Sequence, residues 1–306
     1  MNMLLEVDHV FKRFSMGGIF SARRVDAVKD VSFSLSADKA EIFTIIGESG
    51  SGKTTLARMI LGLEWPSEGQ IRFAGVPLRP RPSRSERLAF MAKVQPVFQN
   101  PFEAFNPLKR VDRYLWSTAQ RFLSDRSPNE SEAAIDEALQ KVGLSLAEVK
   151  GRYPHELSGG QLQRVAIARA LIPNPSLLIT DEPVSMVDAS LRMSIVNRLK
   201  SLRDDFNVSI IYITHDLATA YYVSDRLIIM QRGQVVEMGP ARTVLDAPEH
   251  PYSQLLKSAV LSAEDAGAGR LSPAEGLAAR SAAQSGRPAG ALESRADGRH
   301  VRAYSA

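Results

Sequence analysis

Short apolar or alternating runs recur along most of the chain and predict β-strands. They cover Val7 to Phe14, Glu41 to Ile46, Gln70 to Phe73, Val94 to Phe98, Ser176 to Thr180, Val208 to Thr214 and Arg226 to Gln231. Between several of these runs, apolar residues recur at three- and four-residue spacing, which is typical of helices. The predicted helices are Thr54 to Leu63, Gln161 to Ile172, Ala189 to Phe206 and Leu217 to Val223. This alternation indicates an α/β fold with a mostly parallel sheet that is covered on both faces.

Two regions depart from the alternation. Residues from about 106 to 158 predict a helical insert, whose clearest amphipathic stretch is Glu132 to Leu139. After Val260 the composition falls to Ala, Gly, Ser, Arg and Pro, which cannot bury enough surface to offset the chain entropy. We therefore predict a folded domain at 1–245, a C-terminal segment at 246–261 and a disordered tail at 262–306.

Composition narrows the chemistry that is available to this chain. Its 306 residues are 44% hydrophobic and 24% charged, as in an ordinary soluble globular protein. The lack of cysteine excludes disulfides, thiolate nucleophiles and cysteine-ligated metals. No run of about 18 apolar residues and no secretory leader is present, so we expect a protein that stays in the cytosol.

The basic residues give little support to a nucleic-acid partner. The formal net charge is only +4, and arginines concentrate in two places, Arg79 to Arg87 and the last forty or so residues. Charge runs are usually solvated, so we interpret the first as an exposed loop and the second as part of the disordered tail. No nucleic acid is expected as a partner.

A glycine-rich loop separates the strand that ends at Ile46 from the helix that follows. The loop consists of Gly47, Glu48, Ser49, Gly50, Ser51, Gly52, Lys53 and Thr54, and Thr55 continues the helix. This strand–loop–helix context is typical of a phosphate-binding loop. Its backbone N–H groups can converge on phosphates, Lys53 can reach the β- and γ-phosphates, and Thr54 can ligate Mg²⁺. The sequence therefore predicts ATP binding, although small-molecule kinases, GTPases and motor ATPases share this loop.

Two adjacent carboxylates, Asp181 and Glu182, follow the predicted strand Ser176 to Thr180. Neighbouring side chains of a strand diverge, so Asp181 can face a Mg²⁺ ion while Glu182 points to an attacking water. Without the phosphate-binding loop, the acid pair could also be interpreted as a helix cap or as a surface feature.

A second anion-binding helix start is predicted at Leu157-Ser158-Gly159-Gly160-Gln161, where glycines expose backbone N–H groups and Ser158 offers a hydroxyl. One ATP beside Lys53 does not need two such helix ends. The pattern therefore suggests that two copies of the domain meet head to tail and complete each other's sites.

Taken in order, these motifs resemble the nucleotide-binding subunit of ABC transporters over roughly residues 4 to 240. The motifs are the loop at 47–54, Gln99, the segment 157–161, Asp181 with Glu182, Asp188 and His215. The resemblance implies a P-loop NTPase core with an antiparallel β N-terminal subdomain and a helical insert. It also implies ATP hydrolysis with Mg²⁺ as cofactor.

The resemblance also implies individual roles. Gln99 would contact the metal and relay the state of the nucleotide, and His215 would contact the γ-phosphate. Asp188 would lie at the seam between two subunits, and Phe14 would stack on adenine. By the same resemblance, Glu182 would orient the water, Asp181, Thr54 and Gln99 would hold Mg²⁺, and Ser158, Gly159, Gly160 and Gln161 would bind the partner subunit's ATP.

Two segments resemble the dipeptide and oligopeptide importer branch of that family. They are Val97 to Pro107 and Ala247 to Leu256, the second of which contains His250-Pro251-Tyr252. Similar subunits energise importers of oligosaccharides or nickel complexes, so the cargo stays open. The implied partners are a second identical or related ATP-binding subunit, two integral membrane permeases and, indirectly, an external substrate-binding protein.

The implied location is the cytoplasmic face of the membrane. A rival interpretation is a soluble ABC protein that acts on nucleic acid or ribosomes. Such proteins usually join two domains in one chain or carry long coiled coils or zinc sites, which this sequence lacks. A small-molecule kinase leaves Leu157 to Gln161 unexplained.

Overall fold

A computed structural model describes residues 2–16, 23–100, 104–185, 187–258 and 287–305. The chain divides into two compact units. The first comprises Met1–Arg79 and Ile213–Ala306, and the second comprises Pro80–Tyr212.

The first unit contains an antiparallel sheet that is built from the N-terminal part of the chain. Its strands are β1 (Met3–Met16), β2 (Arg23–Ser36), β4 (Glu68–Phe73) and β5 (Val76–Pro77), in the order β2-β1-β4-β5. Both β2 and β4 pair antiparallel with β1. The expected antiparallel N-terminal subdomain is therefore present.

The strand that leads into the glycine-rich loop also belongs to the first unit. This strand, β3 (Ile42–Ile46), is buried along its whole length and pairs parallel with β9 (Arg226–Gln231). Next to β9 lies the antiparallel strand β10 (Gln234–Pro240). The helices of this unit are α1 (Lys53–Ile60), α8 (Leu217–Val223), α9 (Ala241–Asp246) and α10, which covers 251–258.

The second unit combines parallel strands with most of the helices. Strand β6 (Val94–Val97) pairs parallel with β7 (Leu177–Asp181), and β8 (Ser209–Thr214), of which residues 209–212 belong to this unit, lies next to β7. Its helices are α2 (Arg84–Lys93), α3 (Val111–Phe122), α4 (Pro128–Lys141), α5 (Leu146–Val149), α6 (Gly159–Leu171) and α7 (Ala189–Asp204). Helices α3 to α5 form the expected helical insert.

The largest departure from the predicted elements is at the C-terminus. Residues 287–305 form a hairpin of β11 (Arg287–Ser294) and β12 (His300–Ser305), and β12 pairs with β10. The prediction of a disordered tail is wrong for these residues, because backbone pairing with an existing strand does not require a run of large apolar side chains. Residues 259–286 lie outside the described part of the chain.

The interpretation of the first basic run as a loop is wrong in part. Residues from Arg84 onward form α2, because Ser83 and Glu86 make a capping box. The Glu86 N–H donates to Ser83 Oγ over 3.2 Å, and the Ser83 N–H donates to Glu86 Oε2 over 2.7 Å. No residue of this helix is buried, so its charges face solvent as expected. Among the described residues, no helix is long and apolar enough to cross a membrane.

Candidate functional site

The glycine-rich loop lies between a buried strand and a helix, as the sequence predicts. Helix α1 begins at Lys53, directly after Gly52, whose φ of 105° is unfavourable for residues with a side chain. A Cβ atom at Gly52 would lie 2.3 Å from the Ala27 carbonyl oxygen. Glycine is therefore required at this position both for its conformation and for its close approach to β2.

The other side of the loop lies against β9 and the turn that follows it. A Cβ atom at Gly47 would lie 2.3 Å from the Met230 carbonyl oxygen. The Gly233 N–H donates to the Ser51 carbonyl over 3.0 Å. These contacts hold the loop backbone in a single arrangement.

The Lys53 ammonium group is inside the loop. Its Nζ donates to the carbonyl oxygens of Gly47 and Glu48 over 2.7 and 2.8 Å, and the residue is 7% exposed. Within the described chain, Ser51 Oγ is buried and makes no hydrogen bond to protein. Thr54 is exposed in the first turn of α1. A buried cation, an unsatisfied hydroxyl and a helix N-terminus form a site that fits a phosphate chain.

Two further predicted residues belong to the first unit. Phe14 lies on β1, where it pairs with Val25, and the Lys12 ammonium is 4.9 Å from the centre of its ring. His215 follows the last residue of β8 and is exposed. The next residue, Asp216, caps α8 by accepting hydrogen bonds from the N–H groups of Ala218 and Thr219.

In the second unit, the structure brings Gln99 and Glu182 together. The side-chain amide of Gln99 donates to Glu182 Oε2 over 2.9 Å, although the two residues are 83 positions apart in sequence. Asp181 is the last residue of β7 and Glu182 lies just beyond it, so only the first carboxylate is part of the strand. The alternation of side chains along a strand therefore does not apply to Glu182, which adopts a φ of 46°.

A positive φ at a residue with a side chain is uncommon and is concentrated at functional sites. At Glu182 it is held by Ser185, whose N–H and hydroxyl both donate to the Glu182 carbonyl over 3.2 and 3.0 Å. These two bonds hold the backbone turn at Glu182, and the bond from Gln99 holds its carboxylate.

The predicted anion-binding segment forms the start of α6. Ser158 occupies the N-cap, where its Oγ accepts from the Gln161 N–H over 3.2 Å, and its own N–H donates to Gln161 Oε1 over 3.0 Å. A Cβ atom at Gly159 would meet no described residue within 4 Å, whereas one at Gly160 would lie 2.9 Å from Leu191 Cδ1. Ser158 is exposed, and Gly159 keeps the surface beside it open.

Asp188 occupies the N-cap position of α7 and its side chain is exposed. Among the described residues, its carboxylate makes no capping hydrogen bond. The backbone carbonyl of Asp188 instead accepts from the N–H groups of Leu191 and Arg192. The carboxylate is therefore not needed to begin the helix.

Comparisons with known proteins show the family of this chain. The sequence profile described as ABC transporter matches residues 28–185, more than half of the chain. The chain belongs to the ABC transporter family. The expectation that was drawn from the order of the motifs is confirmed.

Named relatives within the ABC transporter family are oligopeptide transport ATP-binding proteins. The chain is 40% identical over 263 residues to OppF of Haemophilus influenzae, a match that covers 84% of this chain and 78% of that protein. It is 39% identical over 262 residues to AppF of Bacillus subtilis, with the same two coverages of 84% and 78%.

Among solved structures, the fold is similar to the dimeric post-hydrolysis state of the ATP-binding cassette MJ0796 bound to ADP and Pi. The TM-score is 0.67 at 27% identity, and the match covers 78% of this chain and 99% of that cassette. This ABC ATPase neighbour confirms the predicted fold class.

One contact to the loop was missed by sequence reasoning. The Glu48 N–H donates to the Tyr252 hydroxyl over 2.9 Å, and Tyr252 is 3% exposed. Burial raises the pKa of Tyr252 to about 12. The sequence offered a signal, because Tyr252 belongs to the segment His250-Pro251-Tyr252, but nothing in the pattern connected that segment to residue 48.

Proposed function

We propose that this chain is the ATP-binding and ATP-hydrolysing subunit of an ABC importer for oligopeptides. The observation that carries the proposal is its 40% identity, over most of both chains, to an oligopeptide transport ATP-binding protein. The segment His250-Pro251-Tyr252 supports the same branch of the family by resemblance. ABC membership itself rests on the match at residues 28–185.

The loop at 47–54 is proposed to bind the phosphates of ATP. The Lys53 ammonium, which donates to the Gly47 and Glu48 carbonyls, would also donate to the β- and γ-phosphates. Ser49, Gly50, Gly52 and Thr55 would contribute backbone N–H groups from the loop and the first turn of α1. Phe14 would stack on the adenine ring, as the resemblance implies.

Thr54, Asp181 and Gln99 are proposed as the side chains that hold Mg²⁺. All three offer oxygen ligands, which Mg²⁺ prefers, and it usually takes one or two carboxylates together with substrate phosphates. Gln99 donates its amide N–H to Glu182, so its amide oxygen is the atom available to a metal. Bound Mg²⁺ would neutralise charge on the transferred phosphoryl group.

Glu182 is proposed to orient and polarise the attacking water. Its carboxylate is held by Gln99, and its backbone turn is held by Ser185, so its direction is set before substrate arrives. Lys53 and His215 would stabilise the charge that develops on the transferred group.

A complete site is proposed to need a second ATP-binding subunit, identical or related to this one. Ser158, Gly159, Gly160 and Gln161 would bind the γ-phosphate side of the partner's ATP, and Asp188 would lie at the seam. The exposed Ser158 hydroxyl and the open space at Gly159 support this assignment. The dimeric cassette bound to ADP and Pi gives a precedent for such a pair.

The remaining partners are proposed to be two integral membrane permeases and, indirectly, an external substrate-binding protein. The subunit would then lie on the cytoplasmic face of the membrane. Closure of the ATP-bound pair would switch the access of the permeases, and hydrolysis would reset them.

Uptake measurements test the proposed cargo. A strain that lacks this chain and is complemented with wild type should take up a labelled oligopeptide, whereas complementation with Lys53→Ala should not. Lys39→Ala, an exposed lysine of the same unit, is the matched control and should restore uptake. The peptide assignment would be contradicted if the Lys53→Ala strain took up the peptide as well as wild type but lost uptake of an oligosaccharide or of Ni²⁺. The ATPase assignment would stand in that case.

A further inference from the structure

Tyr252 is anchored in the core behind the glycine-rich loop. Its ring packs in an apolar cluster that includes Ile46, the last residue of β3, as well as Ile229 and Val244. Pro251 and Tyr252 begin helix α10. The ring therefore approaches the loop from the protein interior and not from solvent.

The Tyr252 hydroxyl and Lys53 hold the two ends of one peptide group. The N–H of the Gly47–Glu48 peptide donates to Tyr252 Oη over 2.9 Å, and the carbonyl of the same peptide accepts from Lys53 Nζ over 2.7 Å. A peptide group is planar, so these two bonds together fix its rotation. Turning the peptide over would break both bonds.

The position of Tyr252 is fixed in turn by buried polar groups. The Tyr252 N–H donates to His250 Nδ1 over 3.2 Å. The two oxygens of Glu237, a fully buried carboxylate on β10, accept from the N–H groups of Glu249 and His250, each over 3.1 Å. The start of α10 is therefore tied to the sheet, and the phenol cannot move away from the loop without disrupting these bonds.

The phenol is neutral at physiological pH, as is an ordinary tyrosine with a pKa of about 10, and burial raises the pKa of Tyr252 further, to about 12. A neutral hydroxyl accepts the Glu48 N–H without placing a negative charge behind the loop. A phenolate at this place would attract the Lys53 ammonium and repel the phosphates of a nucleotide.

We propose that Tyr252 is a positioning residue for nucleotide binding, which orients the Gly47–Glu48 peptide and thereby places the Lys53 ammonium for the phosphates. This inference rests on the proposed function, since it assumes that the loop binds ATP. By this inference, the segment His250-Pro251-Tyr252 contributes to nucleotide binding in the ATPase cycle. Without the hydroxyl, the peptide is held at one end only, and part of the binding energy of ATP is used to order it.

Removal of the hydroxyl alone tests this role, because Tyr252→Phe keeps the buried ring. Tyr114→Phe is the matched control, since Tyr114 Oη also accepts a hydrogen bond from a backbone N–H, that of Asn106, over 2.7 Å. Affinity for a non-hydrolysable ATP analogue with Mg²⁺ is measured by calorimetry in wild type and both variants. We expect Tyr252→Phe to lose affinity about three- to tenfold, equivalent to about 0.7 to 1.4 kcal/mol, and Tyr114→Phe to match wild type.

Two further readouts separate positioning from general destabilisation. In Tyr252→Phe, the KM for ATP should rise by the same factor while kcat stays within about twofold, as expected for a bond made equally in the ground and transition states. Hydrogen exchange at the Glu48 amide should accelerate by about tenfold in that variant only. Exchange reports on the loop even if the affinity of the variant is too weak to measure.

Each result decides between the alternatives. Unchanged affinity in Tyr252→Phe would overturn the proposal whatever the exchange at Glu48. A loss of affinity with unchanged exchange at Glu48 would overturn it too, and so would equal losses of affinity in both tyrosine variants. Failure of wild type to bind the ATP analogue would instead contradict the proposed function. A loss of affinity confined to Tyr252→Phe, with faster exchange at Glu48, supports the positioning role.

Discussion

The side-chain amide of Gln99 donates a hydrogen bond to the carboxylate of Glu182, with 2.9 Å between Nε2 and Oε2. Gln99 lies just beyond the end of β6 and Glu182 just beyond the end of β7, two parallel neighbours. Residues that follow adjacent parallel strands meet at the same edge of a sheet, where ligands of α/β proteins usually bind. The bond therefore connects a proposed Mg²⁺ ligand to the residue that is proposed to orient water.

We expect Gln99→Ala to lower the ATPase rate by about tenfold, because a hydrogen bond to a charged group contributes about 1.5 kcal/mol or more. The measurement is phosphate release at saturating ATP. Gln140→Ala is the matched control, since Gln140 makes a similar amide-to-carboxylate bond to Asp136 over 2.7 Å on α4. Equal rates in wild type and Gln99→Ala would show that Gln99 does not act on Glu182.

The C-terminal hairpin should contribute to the stability of the first unit through Arg302. This buried guanidinium donates from Nε to the Val235 carbonyl over 2.8 Å and from Nη1 to the Gly290 carbonyl over 2.6 Å. We expect Arg302→Ala to lower the free energy of unfolding by about 2 kcal/mol, as for other losses of buried hydrogen bonds.

Urea unfolding measures the effect of Arg302→Ala, and Arg295→Ala is its control. Arg295, on the same hairpin, forms ion pairs with Glu249 and Glu293, but its side chain is 39% exposed, so its loss should lower stability much less than the loss of Arg302. Similar, small effects of both variants would mean that the hairpin adds little to the fold.

Acid should destabilise the protein through His250. Burial and, to a smaller extent, the charge of Arg302 lower the pKa of His250 to about 4. Its Nδ1 accepts the Tyr252 N–H, and protonation there would break this bond. Below pH 6.5 the unfolded chain binds a proton that the folded chain does not, so stability falls between about pH 6.5 and 4, by at most about 3 kcal/mol.

The comparison of wild type with His250→Gln isolates this effect. The comparison is needed because burial also raises the pKa of nearby Glu237. This second shift makes the folded chain more stable as the pH falls, over a range of pH that overlaps with that of His250. We expect the stability difference between wild type and His250→Gln to shrink as the pH falls from 7 to 4, measured by urea unfolding at each pH. A difference that stays constant with pH would show that His250 does not titrate as described.

Local sequence patterns were sufficient to predict several elements that carry proposed site residues or pack beside them. The segments Arg226–Gln231 and Leu217–Val223 have the bounds that were predicted, and β3 differs by one residue. Each combines strong periodicity with a clear boundary, which makes local pattern decisive. The motifs at Lys53 and Ser158 were predicted because each occupies a helix start with its own chemical signature.

Elements that depend on distant partners could not be predicted in this way. Strand β2 was missed because charged residues interrupt its alternation and its register with β1 shifts several times, with Asp30 at a φ of 51°. The hairpin at 287–305 was missed because it depends on the free edge of β10. The contact between Tyr252 and Glu48 spans 204 positions, and no local pattern can reveal it.

The central claim is that this chain hydrolyses ATP with Glu182 as the residue that orients water. The decisive measurement compares wild type with Glu182→Gln, using Glu137→Gln, a 67% exposed side chain on α4, as the control. ATP hydrolysis and the size of the particle are recorded together in the presence of ATP and Mg²⁺. The account predicts that Glu182→Gln binds ATP, forms a stable dimer and loses hydrolysis by about 10² to 10⁴-fold, while Glu137→Gln behaves as wild type. Full steady-state hydrolysis by Glu182→Gln would contradict it.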